Sequence, residues 1–273
     1  MANQQHLDLL KQGTVAWNQW REEHPGTSLD LSEAYLSESN LSRANLSYVN
    51  LRGADLSYAN LSGALLIQAN LSDANLRSAN LSQDFLSEDD DLAEDDDLAE
   101  DDDLAEDDDL AEDDTTEAIF EKKDFSNRTD LSSADLRRAN LSDANLEEAI
   151  LNSADLSGAN LMRANLSNAY LSGAVLVNSD LCFADLSWAE FDEANLHGAD
   201  LSQADLRGAN LRKTDLSEAN LHKTTLLNAN LSEANLNYCI FNEVELSGAD
   251  LIKAKLSKVN LSKIDLSRAD LSR

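Results

Sequence analysis

The chain has 273 residues, 52 acidic and 21 basic, for a formal net charge of −31. Such a surplus argues against direct nucleic-acid binding through a phosphate-neutralising surface. No run approaches the ~18 consecutive apolar residues of a membrane span, and Met1–His6 is no basic start to an apolar leader, so the expectation is a cytoplasmic protein that does not enter a membrane.

Residues 1–28 read as a cap built on one helix over 4–24. Leu7, Leu10, Trp17 and Trp20 fall along one side of that helix. Asn3 suits its N-cap, and His24-Pro25-Gly26 ends it, because proline cannot continue a helix and disfavours the α conformation in the residue before it. Its expected role is a lid over the open end of an apolar column.

From residue 29 the chain repeats a five-residue phrase, Ala-Asp/Asn-Leu-Ser-x. The block 29–87 carries its central Leu at 31, 36, 41 and onward to 86, twelve copies in all. The last copy is irregular, with Asp84 in place of the Ala and Phe85 in place of the Asp or Asn. Period five fits neither common element. On a helix, five residues advance about 140° beyond a full turn, so the Leu residues would scatter around the axis. On a flat strand an odd period flips Leu to the other face at each copy. The chain must therefore bend once per repeat, coiling around a column of inward Leu and Ala, each coil pairing with the next.

The segment 88–117 breaks the pattern. Between Glu88 and Asp114 the period becomes six, Asp-Asp-Asp-Leu-Ala-Glu, with 19 acidic residues in 27 and none basic. With Leu spread over three helical faces and like charges throughout, a disordered or loosely helical acidic insert is expected. Clustered carboxylates could bind a divalent cation weakly, though no glycine turn interrupts them as in an EF-hand.

The block 118–273 resumes the repeat. Phe120 and Phe125 stand at central positions, and one extra residue near Asn127-Arg128 precedes Leu131. Because twelve copies close three coils of four, the array is expected to restart on its first face at Phe120. Ala134-Asp135-Leu136-Arg137-Arg138 and Ala139-Asn140-Leu141-Ser142-Asp143 are two consecutive copies. Cys239 falls at an Ala-type position and Cys182 just after a central Leu, so a disulfide is not expected.

These phrases resemble the pentapeptide-repeat family over about four-fifths of the chain. The resemblance implies an all-β solenoid: a right-handed quadrilateral β-helix with four repeats, twenty residues, per coil. It also implies that the N-terminal helix caps the array, as in cyanobacterial members. Some members mimic the shape and charge of duplex DNA, bind DNA gyrase and confer quinolone resistance. Those mimics dimerise through a C-terminal element, which is not expected here because the repeat runs on to residue 273.

On such a coil, outward positions carry any specificity. The least polar surface gathers Ile150, Tyr170, Val175, Val177, Phe183 and Trp188, a candidate interaction surface. Ile150 and Tyr170, twenty residues apart, are expected to stack on one face, and Leu65 and Phe85 to form a similar stacked pair. Asp250–Arg273 carries six basic and three acidic residues with no cap after it, so an end-to-end homodimer through an uncapped C-terminal coil is one expectation. The four His, two Cys and many carboxylates fall into no catalytic constellation, zinc spacing or phosphate loop, and no cofactor is expected. The function expected is a non-enzymatic structural or protein-interaction rod with an unidentified protein partner. The alternatives are a DNA-mimic type gyrase-binding protein, or divalent-cation binding by the acidic insert.

Overall fold

The computed structural model describes residues 2–82, 128–262, 264 and 266–272. Two short helices, α1 (Gln4–Leu10) and α2 (Thr14–Glu23), precede a stack of parallel rungs. Outside the interruption after residue 82, each rung pairs residues twenty apart, as in Asp30 with Asn50, Asn50 with Asn70 and Asp155 with Val175. Twenty residues are four repeats, so each coil has four faces. We number them from the rungs that begin at Asp30 (face one), Tyr35 (face two), Asn40 (face three) and Asn45 (face four).

The repeat is explained by the fate of its five main-chain N–H groups, shown by Asn160–Ala164. Asn160 donates to Ala139 O in the coil before (3.0 Å). Leu161 donates to Asp180 O in the coil after (2.7 Å), and Arg163 donates to Cys182 O, also in the coil after (3.0 Å). Ala164 closes a β-turn on Leu161 O (3.0 Å). The fifth, Met162 N–H, donates to Oδ1 of Asn160 (3.0 Å). Only a short side chain with an acceptor oxygen reaches that N–H two residues on, which is why Asn or Asp precedes the Leu. The following Ser adds its hydroxyl, as where Ser157 Oγ donates to Asp155 Oδ1. Asn also donates along the stack, as from Asn75 Nδ2 to Asp55 Oδ1 (3.0 Å).

The turn residue after Ser has positive φ, for example +57° at Arg163 and +60° at Asp143, while the Ser position does not. That pattern is type II. None of the positive-φ residues described is Val, Ile or Thr, side chains for which this region is a genuine outlier. A left-handed residue costs about 1–2 kcal/mol, and the Leu buried in the same repeat contributes about 1.5–3 kcal/mol. The column therefore holds each corner bent. Its members are closed to solvent: Leu131 to Leu236 are 0 % exposed at each central position, with Phe191 standing in for one Leu.

Where a polar residue takes the Ala place, it finds an acceptor. Thr214 Oγ1 donates to Phe191 O (2.9 Å), Thr224 Oγ1 to Leu201 O (2.8 Å) and Cys239 Sγ to Leu216 O (2.9 Å). All three reach back 23 residues to the second lone pair of a carbonyl already accepting its own turn.

The single helix expected over 4–24 is two. Gly13, at φ +108°, breaks it and stands as the N-cap of α2, a backbone conformation that a right-handed helix cannot hold. Asn3 does cap α1, accepting from Gln5 N–H, and α2 stops before Pro25. Leu10 and Trp17 are buried on the column, and Leu7 and Trp20 pack against it. The helices also occupy the edge of the first coil. Asn3 N–H donates to Asp30 O, and Asp30 N–H donates to His6 Nδ1. Asn45 N–H donates to Asn18 Oδ1 (2.8 Å), Trp17 Nε1 donates to Asn45 O (2.8 Å), Asn18 Nδ2 to Arg43 O (2.9 Å) and Arg21 to Ser47 O (3.0 Å). Within the stack the Asp30, Asn45 and Ser47 groups would pair with a preceding coil, so the cap replaces one at faces one and four, while the bond to Arg43 O is an added corner contact.

The ladder differs from the expected count at the interruption. Leu65 pairs with Asp130, Asn70 with Asp135, Asn75 with Asn140 and Asn80 with Asn145. Asp130 is thus the neighbour above Leu65, and Leu131 is the described face-four Leu that follows Leu66. Among the described residues the stack resumes at Asp130 and Leu131. Its physical basis is Thr129, fully buried at an Ala-type place, whose single hydroxyl proton is shared between Leu61 O (2.9 Å) and Ser82 O (3.1 Å). The expectations for Phe85, Leu86, the acidic insert, Phe120 and Phe125, and the boundaries 87/88 and 117/118, lie outside the described residues.

Three outcomes test this account. Asn18→Ala should lower unfolding stability by about 1–3 kcal/mol in urea titration, since it strips partners from the edge groups of Arg43 and Asn45. Deleting 88–114 should leave the β circular-dichroism spectrum intact, because Thr129 and Ser82 already close the coil. The third concerns pH. Hydrogen bonds from the Arg137 side chain hold the Asp135 carboxyl below its ordinary pKa, with burial opposing and the Arg137 N–H assisting. A lowered folded pKa contributes stability above the unfolded value, about 3.9, which is lost as pH falls through the folded value. The stability difference between wild type and Asp135→Asn should therefore be constant near neutrality and shrink below about pH 4.

Candidate interaction surface

The six outward residues singled out in sequence fall on three sides of the coil. Ile150 and Tyr170 are consecutive rungs of face four. Val175 lies on face one and Val177 begins the corner that follows it. Phe183 occupies the corner between faces two and three, and Trp188 the corner between faces three and four. Ile150 is 8 % exposed, Phe183 52 % and Trp188 62 %. The structure thus joins Ile150 to Tyr170, puts Trp188 at the edge of the same face, and places Val175, Val177 and Phe183 around other sides.

Tyr170 cannot accept the hydrogen bond that Asn or Asp would. The N–H it leaves, that of Ser172, instead donates to Asn152 Oδ1 from the coil before (3.0 Å). Lys255 is covered in the same way, with Ser257 N–H donating to Asn237 Oδ1 (2.8 Å). The Tyr170 ring also lies under the Arg128 guanidinium, 5.1 Å from its centroid, and Arg128 is paired with Glu148 at 2.9 Å.

Trp188 has a feature its exposure alone does not disclose. It holds φ +60°, and its indole lies against Gly208, the same corner one coil on. A Cβ at Gly208 would meet the ring at 2.5 Å. The ring therefore rests on bare backbone, beside a shallow cavity of about 280 Å³ lined by Ser187, Arg207, Gly208, Leu227 and Asn228. Asn178 sits over Gly198 and Asn228 over Gly248 in the same manner. The sequence signal for such a seat is a bulky corner residue followed twenty positions later by glycine.

The outward charges are largely paired between coils. Arg163 binds Asp143 (2.6 Å), Arg212 binds Asp192 (3.2 Å) and Glu233 (3.4 Å), and Lys213 binds Glu193 (2.7 Å), whereas Arg207 binds Asp205 within its own repeat. Carboxylates of consecutive rungs stand together at Asp135–Asp155, Asp180–Asp200, Asp185–Asp205 and Asp250–Asp270, and Asn, apolar or cationic residues interrupt every face between them.

Reactive chemistry is sparse in the described chain. Both cysteines are free. Burial pushes the Cys182 thiol up to about 12, with Asp180 and Asp200 adding to it, and burial does the same to Cys239, so neither is a thiolate at neutral pH. His197 is bonded to Ser217 (3.0 Å), and His222 lies on another side, following Leu221. Among the described residues no group of three or more His, Cys, Asp or Glu is placed to hold a metal ion. The expected cation site at the acidic insert lies outside them. No helix among the described residues is long and apolar enough to cross a membrane. A larger groove, about 560 Å³, runs between the cap and the first coil, lined by Arg21, His24, Pro25, Thr27 and Tyr48 among others. In the last coil Leu256, Leu261 and Leu266 are only partly buried and Leu271 is 50 % exposed.

No curated protein sequence matches the chain. Among solved structures it is similar to HetL, a pentapeptide repeat protein involved in heterocyst differentiation regulation from the cyanobacterium Nostoc sp. strain PCC 7120. The identity is 29 %, covering 100 % of this chain and 93 % of HetL, with a TM-score of 0.44. It is also similar to QnrB1, a plasmid-mediated fluoroquinolone resistance protein, at 16 % identity over 88 % of this chain and 89 % of that one, TM-score 0.44. A pentapeptide repeat protein of Nostoc PCC 7120, alr5209, matches at 35 % identity over 41 % of this chain and 84 % of its own, TM-score 0.29. The family profile described as pentapeptide repeats matches in eight copies, over residues 27–59, 44–83, 129–168, 159–198, 194–230 and 229–268. With that profile spanning most of the chain, and rungs twenty residues apart on four faces, the protein belongs to the pentapeptide-repeat family and is a right-handed quadrilateral β-helix.

Proposed function

We propose that the protein is a non-enzymatic interaction module: a capped β-helix whose outward corners bind a protein partner in the cytoplasm. One observation carries this reading. The repeat consumes its own polar chemistry, since the Asn, Asp and Ser side chains satisfy main-chain N–H groups and one another. What is left for a second molecule is the corner and face residues that depart from the consensus, and several of these are aromatic and exposed. Exposed aromatics on rigid backbone are the usual anchors of protein interfaces. End-to-end pairing of two copies is a further part of the proposal, supported by the partly exposed leucines of the last coil.

The rival reading is mimicry of duplex DNA toward gyrase, a role in keeping with a net charge of −31. Duplex DNA offers one charge per about 1.7 Å of axis. Here neutral residues interrupt the carboxylates on every face, leaving at most short runs, and Arg163, Arg207, Arg212 and Lys213 neutralise carboxylates nearby. That pattern favours the first reading. The test is a supercoiling assay with purified gyrase, in which this protein at micromolar concentration should leave supercoiling unaffected. Inhibition that is sensitive to salt and abolished by Asp180→Asn with Asp200→Asn would make the DNA mimic the correct reading.

A further inference from the structure

We propose that Trp188, seated on Gly208, is the anchor of a docking site for a cationic segment of a protein partner, an Arg or Lys side chain stacking on the open side of the indole. This rests on the interaction-module reading above and adds the place and the chemistry of the contact.

Two observations meet at this corner. The first is the seat. One side of the ring lies on Gly208, where any Cβ would come within 2.5 Å, yet 62 % of the residue is exposed. A side chain held at φ +60° on a rigid coil and supported from beneath loses little freedom when something stacks on it. The second is the charge around it. On face three, before the corner, stand Asp185 and Asp205, and on face four, after it, stands Glu190. Asp185 accepts from Ser187 N–H and Oγ (3.0 and 2.7 Å), Glu190 accepts from Asn210 Nδ2 (2.8 Å), and Asp205 takes Arg207. Three carboxylates thus flank the indole against one guanidinium. Arg207 serves both Asp205 and Asp185, and the donor to Glu190 is neutral, so negative charge stays in excess at the corner.

An indole face attracts a cation through its quadrupole, and carboxylates on both flanks strengthen that attraction and repel an anionic partner. A purely apolar partner would leave those charges desolvated without a counter-charge. Leu227, taking a Ser place beside the seat, suits the aliphatic stem of the same Arg or Lys.

The test uses the full chain carrying 5-fluorotryptophan. Its three tryptophans give three fluorine resonances, and Trp188→Phe assigns the one of interest. Tetra-arginine amide, added to about 1 mM, should shift the Trp188 resonance saturably and leave that of buried Trp17 in place, even where peptide also binds acidic residues elsewhere. Asp185→Asn with Glu190→Gln keeps the ring and its seat and should weaken the shift about two- to fivefold in apparent affinity. Gly208→Ala should displace the ring and abolish the saturable shift, its fold being checked by circular dichroism. The proposal fails if tetra-arginine leaves Trp188 unmoved, or if tetra-alanine amide moves it equally. It also fails if the resonance depends on protein concentration without peptide, which would make a second copy the occupant. A negative result here, with a partner bound elsewhere on the coils, would leave the interaction-module reading standing.

Discussion

Five main-chain N–H groups arrive with every repeat, and a coil only five residues per side has little room to leave one buried and unpaired. Two of the five donate to the coil after and one to the coil before, a fourth closes the corner, and the last is met by Asn or Asp within the repeat. The consensus is largely a record of that allocation. Leu and Ala fill the column, Asn or Asp supplies the missing acceptor, and Ser completes the acceptor's own bonding. The substitutions confirm the rule by the way they satisfy it. Tyr170 and Lys255 lack an acceptor, and Asn152 and Asn237 supply one from the neighbouring coil. Thr214, Thr224 and Cys239 bring a donor inside and find a carbonyl with a spare lone pair.

The same constraint governs the ends and the interruption. A first coil has edge groups with no coil before it. Here α1 and α2 meet them on faces one and four with a mixture of main-chain and side-chain partners, while Leu10 and Trp17 close the column. At the interruption, the chain rejoins the stack where Thr129 can bond both Leu61 and Ser82. The column thereby passes from Leu66 to Leu131 without losing a rung.

Because the interior is so fully committed, function falls to the outside. The cysteines are held as neutral thiols, and many carboxylates serve the backbone or neighbouring arginines. The corners are different. They tolerate any side chain that can endure positive φ, from Asp143 to Arg163 to Trp188, and they place it on a rigid frame at fixed spacing. A surface of this kind suits recognition by a protein partner, and its aromatic and charged exceptions are where specificity can reside.

The sequence by itself determined the coil. A period of five is incompatible with helix and flat strand alike, so inward Leu and Ala, a bend per repeat and a capped start followed from spacing, as did the N-cap at Asn3 and the separation of Cys182 from Cys239. Tertiary structure decided what depends on neighbours twenty or more residues away. The stacking of Leu131 on Leu66 in face four is accompanied by hydrogen bonding from Thr129 to two distant carbonyls. The break at Gly13 follows from docking two helices onto separate faces of one coil. The candidate residues Ile150, Tyr170, Val175, Val177, Phe183 and Trp188 look like one cluster in the linear chain because they are close in number. The coil turns through a right angle every five residues, so closeness in sequence and sharing a face are different properties, and only Ile150 and Tyr170, twenty apart, meet directly. The seat of Trp188 on Gly208 belongs to the same class, since it exists only once successive coils are stacked.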